Sequence, residues 1–260
     1  MKIAIIGCGV MGSLFAKHFA KRHTLFLCDH HYDHAAALGK EIKAESYKKA
    51  RDAVKHADLI FLAIKPADLM TVSDEIKDYL PANPLIVSIL AGTPLSLLKK
   101  TFPECAILRM LPNLAISHGE GVLGLVEDPS LSADWHQKME SLFEGLGLIY
   151  WLPEEKIDAL TAFTGSGPAF IFVLIEAMID SGVLLGFSHQ EARELALKTV
   201  QGSIVLLEKT TKTPVELKWQ VASPKGTTIE GLKALEESGF KTAVINAFVA
   251  AYQRAKEMQR

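Results

Sequence analysis

The sequence is poor in cysteine and nearly balanced in charge, and each shortage excludes something. Its three cysteines, Cys8, Cys28 and Cys105, have neither metal-binding nor disulfide spacing, so no such staple is expected. An odd count, with two of them in apparent core strands, suits a reducing compartment, and the expected location is cytoplasmic. A net charge of −2 leaves no basic field for nucleic acid. The N-terminus, MKIAII, reads as a strand. It has no charged n-region, apolar h-region or small-residue cleavage site, so no signal peptide is expected. Repeats, low-complexity stretches and flexible linkers are missing too. What is present is 260 residues, 49% hydrophobic and 22% charged, enough to bury a core unaided.

The two parts of the chain have different periodicities. Apolar runs at Lys2–Ile6, Thr24–Cys28, Leu59–Ile64, Leu85–Leu90 and Ala106–Met110 read as buried parallel strands. Helical patterns lie between them at Met11–Lys21, Tyr47–His56, Ala67–Tyr79 and Pro94–Phe102. Val122–Val126 and Leu148–Leu152 extend the sheet around a helix near Ala133–Leu146. Such alternation predicts an α/β fold, a parallel sheet with helices on both faces. From Pro153 onward no strand-like run remains. Helices are expected at Glu154–Phe163, Pro168–Leu185, His189–Lys209, Pro214–Val221, Ile229–Ser238 and Lys241–Met258. The expected division is a Rossmann-type dinucleotide-binding domain over 1–153 and an all-α domain over 154–260.

Ala169–Phe187 approaches the length and apolarity of a membrane span. It carries Glu176 and Asp180 on one helical face, so it reads as a buried bundle helix, and no membrane is expected as a partner. The helices of this part are too apolar for one small bundle to hide, which predicts a homo-oligomer built from them.

Gly7-Cys-Gly9-Val-Met-Gly12 follows the first strand and opens a helix, the context a GxGxxG fingerprint requires. Gly7 serves the tight turn, Gly9 the close approach of a pyrophosphate and Gly12 the helix–strand packing. Cys8, Val10 and Met11 complete the loop. Asp29 ends the second strand, where a carboxylate accepts from ribose hydroxyls and repels a 2′-phosphate, which favours NADH over NADPH. Protonation of His30 or His31 next door would soften that repulsion. With His34 these histidines read as a polar loop without closed ligand spacing, and no metal is expected.

Ser223-Pro-Lys-Gly-Thr-Thr228 leads straight into an amphipathic helix. A Gly-containing turn at a helix N-terminus leaves backbone N–H groups pointing one way, a nest for a small carboxylate. The plainer alternative is a helix capped by threonine.

Ala63-Ile-Lys-Pro66 and Ala91-Gly92 close two strands at the carboxyl edge of the sheet. Together with Gly165-Ser-Gly-Pro168 and the stretch from Ser223 to Phe240, they resemble the pyrroline-5-carboxylate reductase family along the whole chain. That resemblance implies reduction of 1-pyrroline-5-carboxylate to L-proline by NADPH or NADH, the last step of proline biosynthesis. It implies a carboxylate held by Ser223, Gly226 and Thr227, with the Thr228 hydroxyl at the ring nitrogen as the catalytic contact. Ala63, Ile64, Lys65 and Pro66 would line the ribose and nicotinamide, and Asn113 would lie beside the nicotinamide. The helical domains of two interleaved subunits would form the dimer.

The chain departs from the family pattern in three places. Lys225 replaces a glycine, Leu114-Ala115 replaces Thr-Pro, and Asp29 replaces a polar or basic strand end. Lys225 either adds a positive charge near the carboxylate or blocks a conformation that glycine alone reaches cheaply. Two other functions stay open. One is another NAD(P)H-dependent imine reductase or a β-hydroxyacid-type dehydrogenase, for which Lys156 and Lys198 are the only early lysine candidates. The other is a nucleotide-binding paralogue without turnover.

Overall fold

The computed structural model describes residues 1–257; the predicted end of the last helix at Met258, and the last residues of the predicted helical domain, lie outside them. Eight strands form one sheet: β1 (Lys2–Ile6), β2 (Thr24–Cys28), β3 (Glu45–Tyr47), β4 (Leu59–Leu62), β5 (Leu85–Ser88), β6 (Ala106–Pro112), β7 (Gly121–Val126) and β8 (Gly147–Leu152). Their spatial order is β3-β2-β1-β4-β5-β6-β7-β8. All pairs are parallel except β6 with β7. The helices of this part are α1 (Val10–Phe19), α2 (Tyr32–Ile42), α3 (Ala50–Val54), α4 (Leu69–Ile76), α5 (Leu95–Thr101), α6 (Ala133–Phe143) and α7 (Ile157–Leu160).

Side-chain alternation along the central strands builds two cores, one on each face of the sheet. Ile3, Ile5, Leu25, Leu27, Leu59 and Phe61 face one way and pack with Phe15 and Phe19 of α1 and Phe143 of α6. Phe15 and Phe61 pack with their rings tilted by 46°, at 4.6 Å between centroids. Ala4, Ile6, Phe26, Ile60 and Leu62 face the other way, against α3, α4 and α5. Each fully buried Phe or Leu contributes about 1.5–3 kcal/mol relative to exposure. Between β6 and α5 lies a partly buried charged pair as well. Arg109, 3% exposed, donates to Glu154 Oε1 at 2.7 Å, and that oxygen also accepts from Leu95 N–H.

Two expectations for this part need correction. The segment around His34 is not a loop; it belongs to α2, whose start at His31 lacks any side-chain cap. The helix read over Tyr47–His56 is shorter, because Tyr47 ends β3, an edge strand of three polar or aromatic residues with no apolar run to announce it.

The chain divides into two compact units, Met1–Gly165 with the chain from Tyr252, and Ser166–Ala251. Before the division, the segment expected as one helix breaks into a 3₁₀ turn (Glu154–Lys156), α7 and a π-helical turn (Thr161–Gly165). The second unit is helical: α8 (Gly167–Leu184), α9 (His189–Glu208), α10 (Pro214–Val221), α11 (Thr227–Glu237) and the start of α12 (Phe240–Glu257). α8 and α9 form a close antiparallel pair. A Cβ on Gly182 would meet that of Ala192 at 2.7 Å, and a Ser188–Glu191 capping box sets the start of α9.

The expectation that α8 is a buried helix fails within a single chain. Gly167 is its only buried residue, and Phe172 and Val173 are 64% and 63% exposed. With the turns before it, the Glu154–Leu184 segment is long and apolar enough to cross a membrane by length and composition. α9 packs along α8 and Phe170 meets Phe248 of α12, yet among the described residues most of the apolar surface of α8 stays exposed, enough to take a further partner.

Candidate active site

β1 and β4 are neighbours in the sheet, although the chain forms β2 and β3 between them. This crossover makes their carboxyl ends a topological switch point, where an open α/β sheet takes its ligand. The glycine loop lies there. Gly7 has φ +101°, a left-handed value that favours glycine, and a Cβ on it would strike the carbonyl of Ala63. Gly12 is equally confined, since its Cβ would strike the carbonyl of Gly7. Gly9 has open space where its Cβ would be. It begins α1 with no side-chain cap, so the N–H groups of Val10, Met11 and Gly12 lack helical partners. Confined glycines flanking an open one, beside uncapped N–H groups, fit a pyrophosphate. Cys8 contributes backbone rather than thiol chemistry: burial pushes its thiol up to about 12.

Asp29 closes the first side of this site. Its Oδ2 accepts from the Cys8 N–H at 2.6 Å, linking the end of β2 to the glycine loop. On the other side, Ala63 hydrogen-bonds back to Ile6 and abuts Gly7. Lys65 precedes the short turn Pro66–Asp68 and is exposed. The structure therefore gathers Gly7 to Gly12, Asp29 and Ala63 to Pro66 on one edge of the sheet. Asn113 follows β6 on the same edge.

The Asn113 side chain has work that sequence reasoning missed. Its Nδ2 donates to the Thr164 carbonyl at 3.0 Å and its Oδ1 accepts from the Val122 N–H at 3.1 Å. It is 8% exposed and joins β6 and β7 to the π-helical turn before the helical unit. One amide hydrogen and one lone pair remain for a ligand. Arg109 and Glu154 were also missed. An isolated Arg in an apolar run was the available signal.

In the second unit, Ser223 to Gly226 make a turn closed by a Gly226 N–H to Ser223 carbonyl bond of 3.0 Å. Gly226 is the N-cap of α11, without a side-chain cap, and Thr227 and Thr228 occupy its first turn. The threonine-capped alternative therefore fails: the helix starts two residues earlier than expected, and no threonine caps it. A Cβ on Gly226 would crowd the rotatable Ser223 hydroxyl, so the backbone here packs closely against that side chain. Lys225 has φ +60°. The lysine occupies the left-handed conformation that glycine reaches cheaply, at a cost of about 1 kcal/mol. The departure from the family pattern therefore leaves this conformation in place.

A nucleotide-cradling glycine loop at the sheet's switch point, followed by a helical unit with an uncapped, hydroxyl-bearing helix start, defines a dinucleotide-dependent oxidoreductase. Residues 2–92 match a family model described as NADP oxidoreductase coenzyme F420-dependent, and residues 154–258 one described as pyrroline-5-carboxylate reductase dimerisation. The pyrroline-5-carboxylate reductase of Aquifex aeolicus is 36% identical over 99% of this chain and 97% of its own length. That of a Synechocystis species is 34% identical over 99% and 98%. The crystal structure of Plasmodium falciparum pyrroline carboxylate reductase with NADP bound superposes with a TM-score of 0.90. Its sequence identity is 29%, and the match covers 100% of this chain and 98% of that one. Likeness of this extent leaves no other assignment: the chain belongs to the pyrroline-5-carboxylate reductase family. It is an NAD(P)H-dependent oxidoreductase acting on a C=N bond, and it forms a homo-oligomer.

Proposed function

We propose that this chain reduces 1-pyrroline-5-carboxylate to L-proline, the last step of proline biosynthesis, in the cytoplasm. The observation that carries the reading is the start of α11, where a Ser-Pro-Lys-Gly turn leaves the first-turn N–H groups without a side-chain cap. Those groups, with the Ser223 hydroxyl, Gly226 and Thr227, hold the substrate carboxylate. The Thr228 hydroxyl orients the ring nitrogen and connects it to a proton source. Bound NAD(P)H supplies the hydride. A protonated imine is already electrophilic, so the protein needs no metal. It positions the reacting carbons and excludes water.

In this reading residues 1–153 hold the cofactor and residues 154–260 hold the substrate and the second copy. The exposed apolar side chains of α8 and α9, among them Phe172, Val173, Leu195 and Ile204, are the surface that copy covers. The test is to mix purified protein with NADH or NADPH and 1-pyrroline-5-carboxylate and follow cofactor absorbance and proline formation. Substrate-dependent oxidation with proline as product is expected. Cofactor binding without oxidation would overturn the proposal in favour of a paralogue without turnover.

A further inference from the structure

Asp29 stands at the end of β2, where the adenosine ribose of a dinucleotide lies in this fold. Its carboxylate is already committed. Oδ2 accepts from the Cys8 N–H at 2.6 Å, Oδ1 accepts from the His31 N–H at 2.8 Å, and the side chain is only 12% exposed. One imidazole lies near the exposed rim of this group, and two more lie beside that ring in succession. His34 Nδ1 lies 3.6 Å from Asp29 Oδ1. The rings of His30 and His31 are 5.0 Å apart, and those of His31 and His34 are 5.3 Å apart. All three histidines are exposed, and the uncapped start of α2 lies among them. Among the described residues no group of three or more His, Cys, Asp or Glu is placed to hold a metal ion.

We propose that His30, His31 and His34 form a proton-gated site for the 2′-phosphate of the cofactor, so that acid favours NADPH and alkali favours NADH. The proposal rests on the reading of this sheet edge as the cofactor site. With the imidazoles neutral, Asp29 is the nearest charge, and it repels a phosphate that carries roughly −1.5 to −2. Its two backbone hydrogen bonds spread that charge without cancelling it. Each protonated imidazole adds a positive charge and a second N–H donor at the rim, and the α2 start adds backbone N–H groups of the same polarity. NADH has a hydroxyl at that position and gains little from them.

The surrounding groups set a constant background. Asp33 lies on α2, and Lys48 holds its Nζ 5.4 Å from the centre of the Tyr32 ring. Lys49, Asp52 of α3 and Glu75 of α4 act electrostatically on neighbouring Cys28, as does Asp29. Carboxylates and ammonium groups do not ordinarily titrate between pH 6 and 8, whereas imidazole does. Cys8 and Cys28 stay neutral there, their thiols pushed up by burial to about 12 and about 11.

The test measures affinity without substrate, by titrating NADH and NADPH into the full-length protein and following cofactor fluorescence at pH 6 and pH 8. Three exposed charge pairs, each contributing modestly, predict that the NADPH-to-NADH affinity ratio falls about 10-fold over that range. Replacing all three histidines (His30→Gln, His31→Gln, His34→Gln) should leave only the small change due to the phosphate's own second ionisation. His34→Gln alone should remove about 2- to 3-fold. NADH binding by each variant reports that it has folded. A flat ratio in the unmodified protein, or a full 10-fold change retained in the triple variant, would overturn the proposal. A protein that shows the pH-dependent ratio yet leaves 1-pyrroline-5-carboxylate unreduced sinks the proposed function alone. One that forms proline with a flat ratio sinks the histidine gate alone.

Discussion

The sheet unit and the helical unit use apolar residues in opposite ways. In the first, strands β1, β2, β4 and β5 bury nearly every side chain, and helices of the same chain cover both faces. In the second, α10 and α11 bury no residue, α9 buries only Ala192 and Ala196, and α8 only Gly167. One unit completes its core alone; the other presents its apolar surface outward, and a stability that rises with protein concentration is the expected consequence if a second copy covers it. Similar hydrophobicity in sequence thus has two structural meanings, decided by whether a covering layer comes from the same chain.

The largest expected effect tests the self-contained unit. Arg109→Leu leaves the partly covered Glu154 without its cation and the Leu95 contact without its anchor. It should cost about 3 kcal/mol or more in chemical denaturation. A loss below about 1 kcal/mol would mean that the charged pair does not tie β6 to α5.

Thr228→Ala comes next and concerns the helical unit's chemistry. Turnover should fall about 100-fold, equivalent to about 2.7 kcal/mol of barrier, with the melting temperature and NADH affinity unchanged. A steady-state rate equal to that of the unmodified protein would remove Thr228 from the catalytic role. Phe172→Glu places a charge on the exposed apolar face of α8 and sharpens the contrast directly. It should weaken association by about 2 kcal/mol, roughly 30-fold, shifting the mass in sedimentation towards monomer while the sheet unit still binds NADH. A monomeric mass for the unmodified protein at micromolar concentration would break the comparison itself.

The smallest effect is Lys225→Gly. Relief of the left-handed backbone at φ +60° should stabilise the helical unit by up to about 1 kcal/mol, partly offset by the freer unfolded chain. A lower melting temperature for this variant would show that the lysine side chain contributes more to the turn than its backbone costs.

Legibility in the sequence followed burial. β1 and β2 were readable to the residue because a strand covered on both faces is a continuous apolar run. β3, Glu-Ser-Tyr on the sheet edge, had no such pattern, and α2 was hidden behind a start rich in histidine. At the site, the glycine spacing marked the loop, but the collision that makes Gly7 and Gly12 necessary comes from Ala63 and from Gly7 itself. The Asn113 bond to Thr164 and the Asp29 bond to Cys8 were invisible because each joins segments distant in the chain.

The sequence by itself determined the alternation of strand and helix, the change to helix alone after Pro153, and the residue types of the two candidate sites. Local periodicity and turn chemistry encode these directly. Only the tertiary structure decided which apolar helices stay uncovered, that Gly226 rather than a threonine caps α11, and that Asp29 binds the glycine loop through the Cys8 N–H. Those outcomes depend on which segments pack together, and packing is a property of the folded chain rather than of any stretch within it.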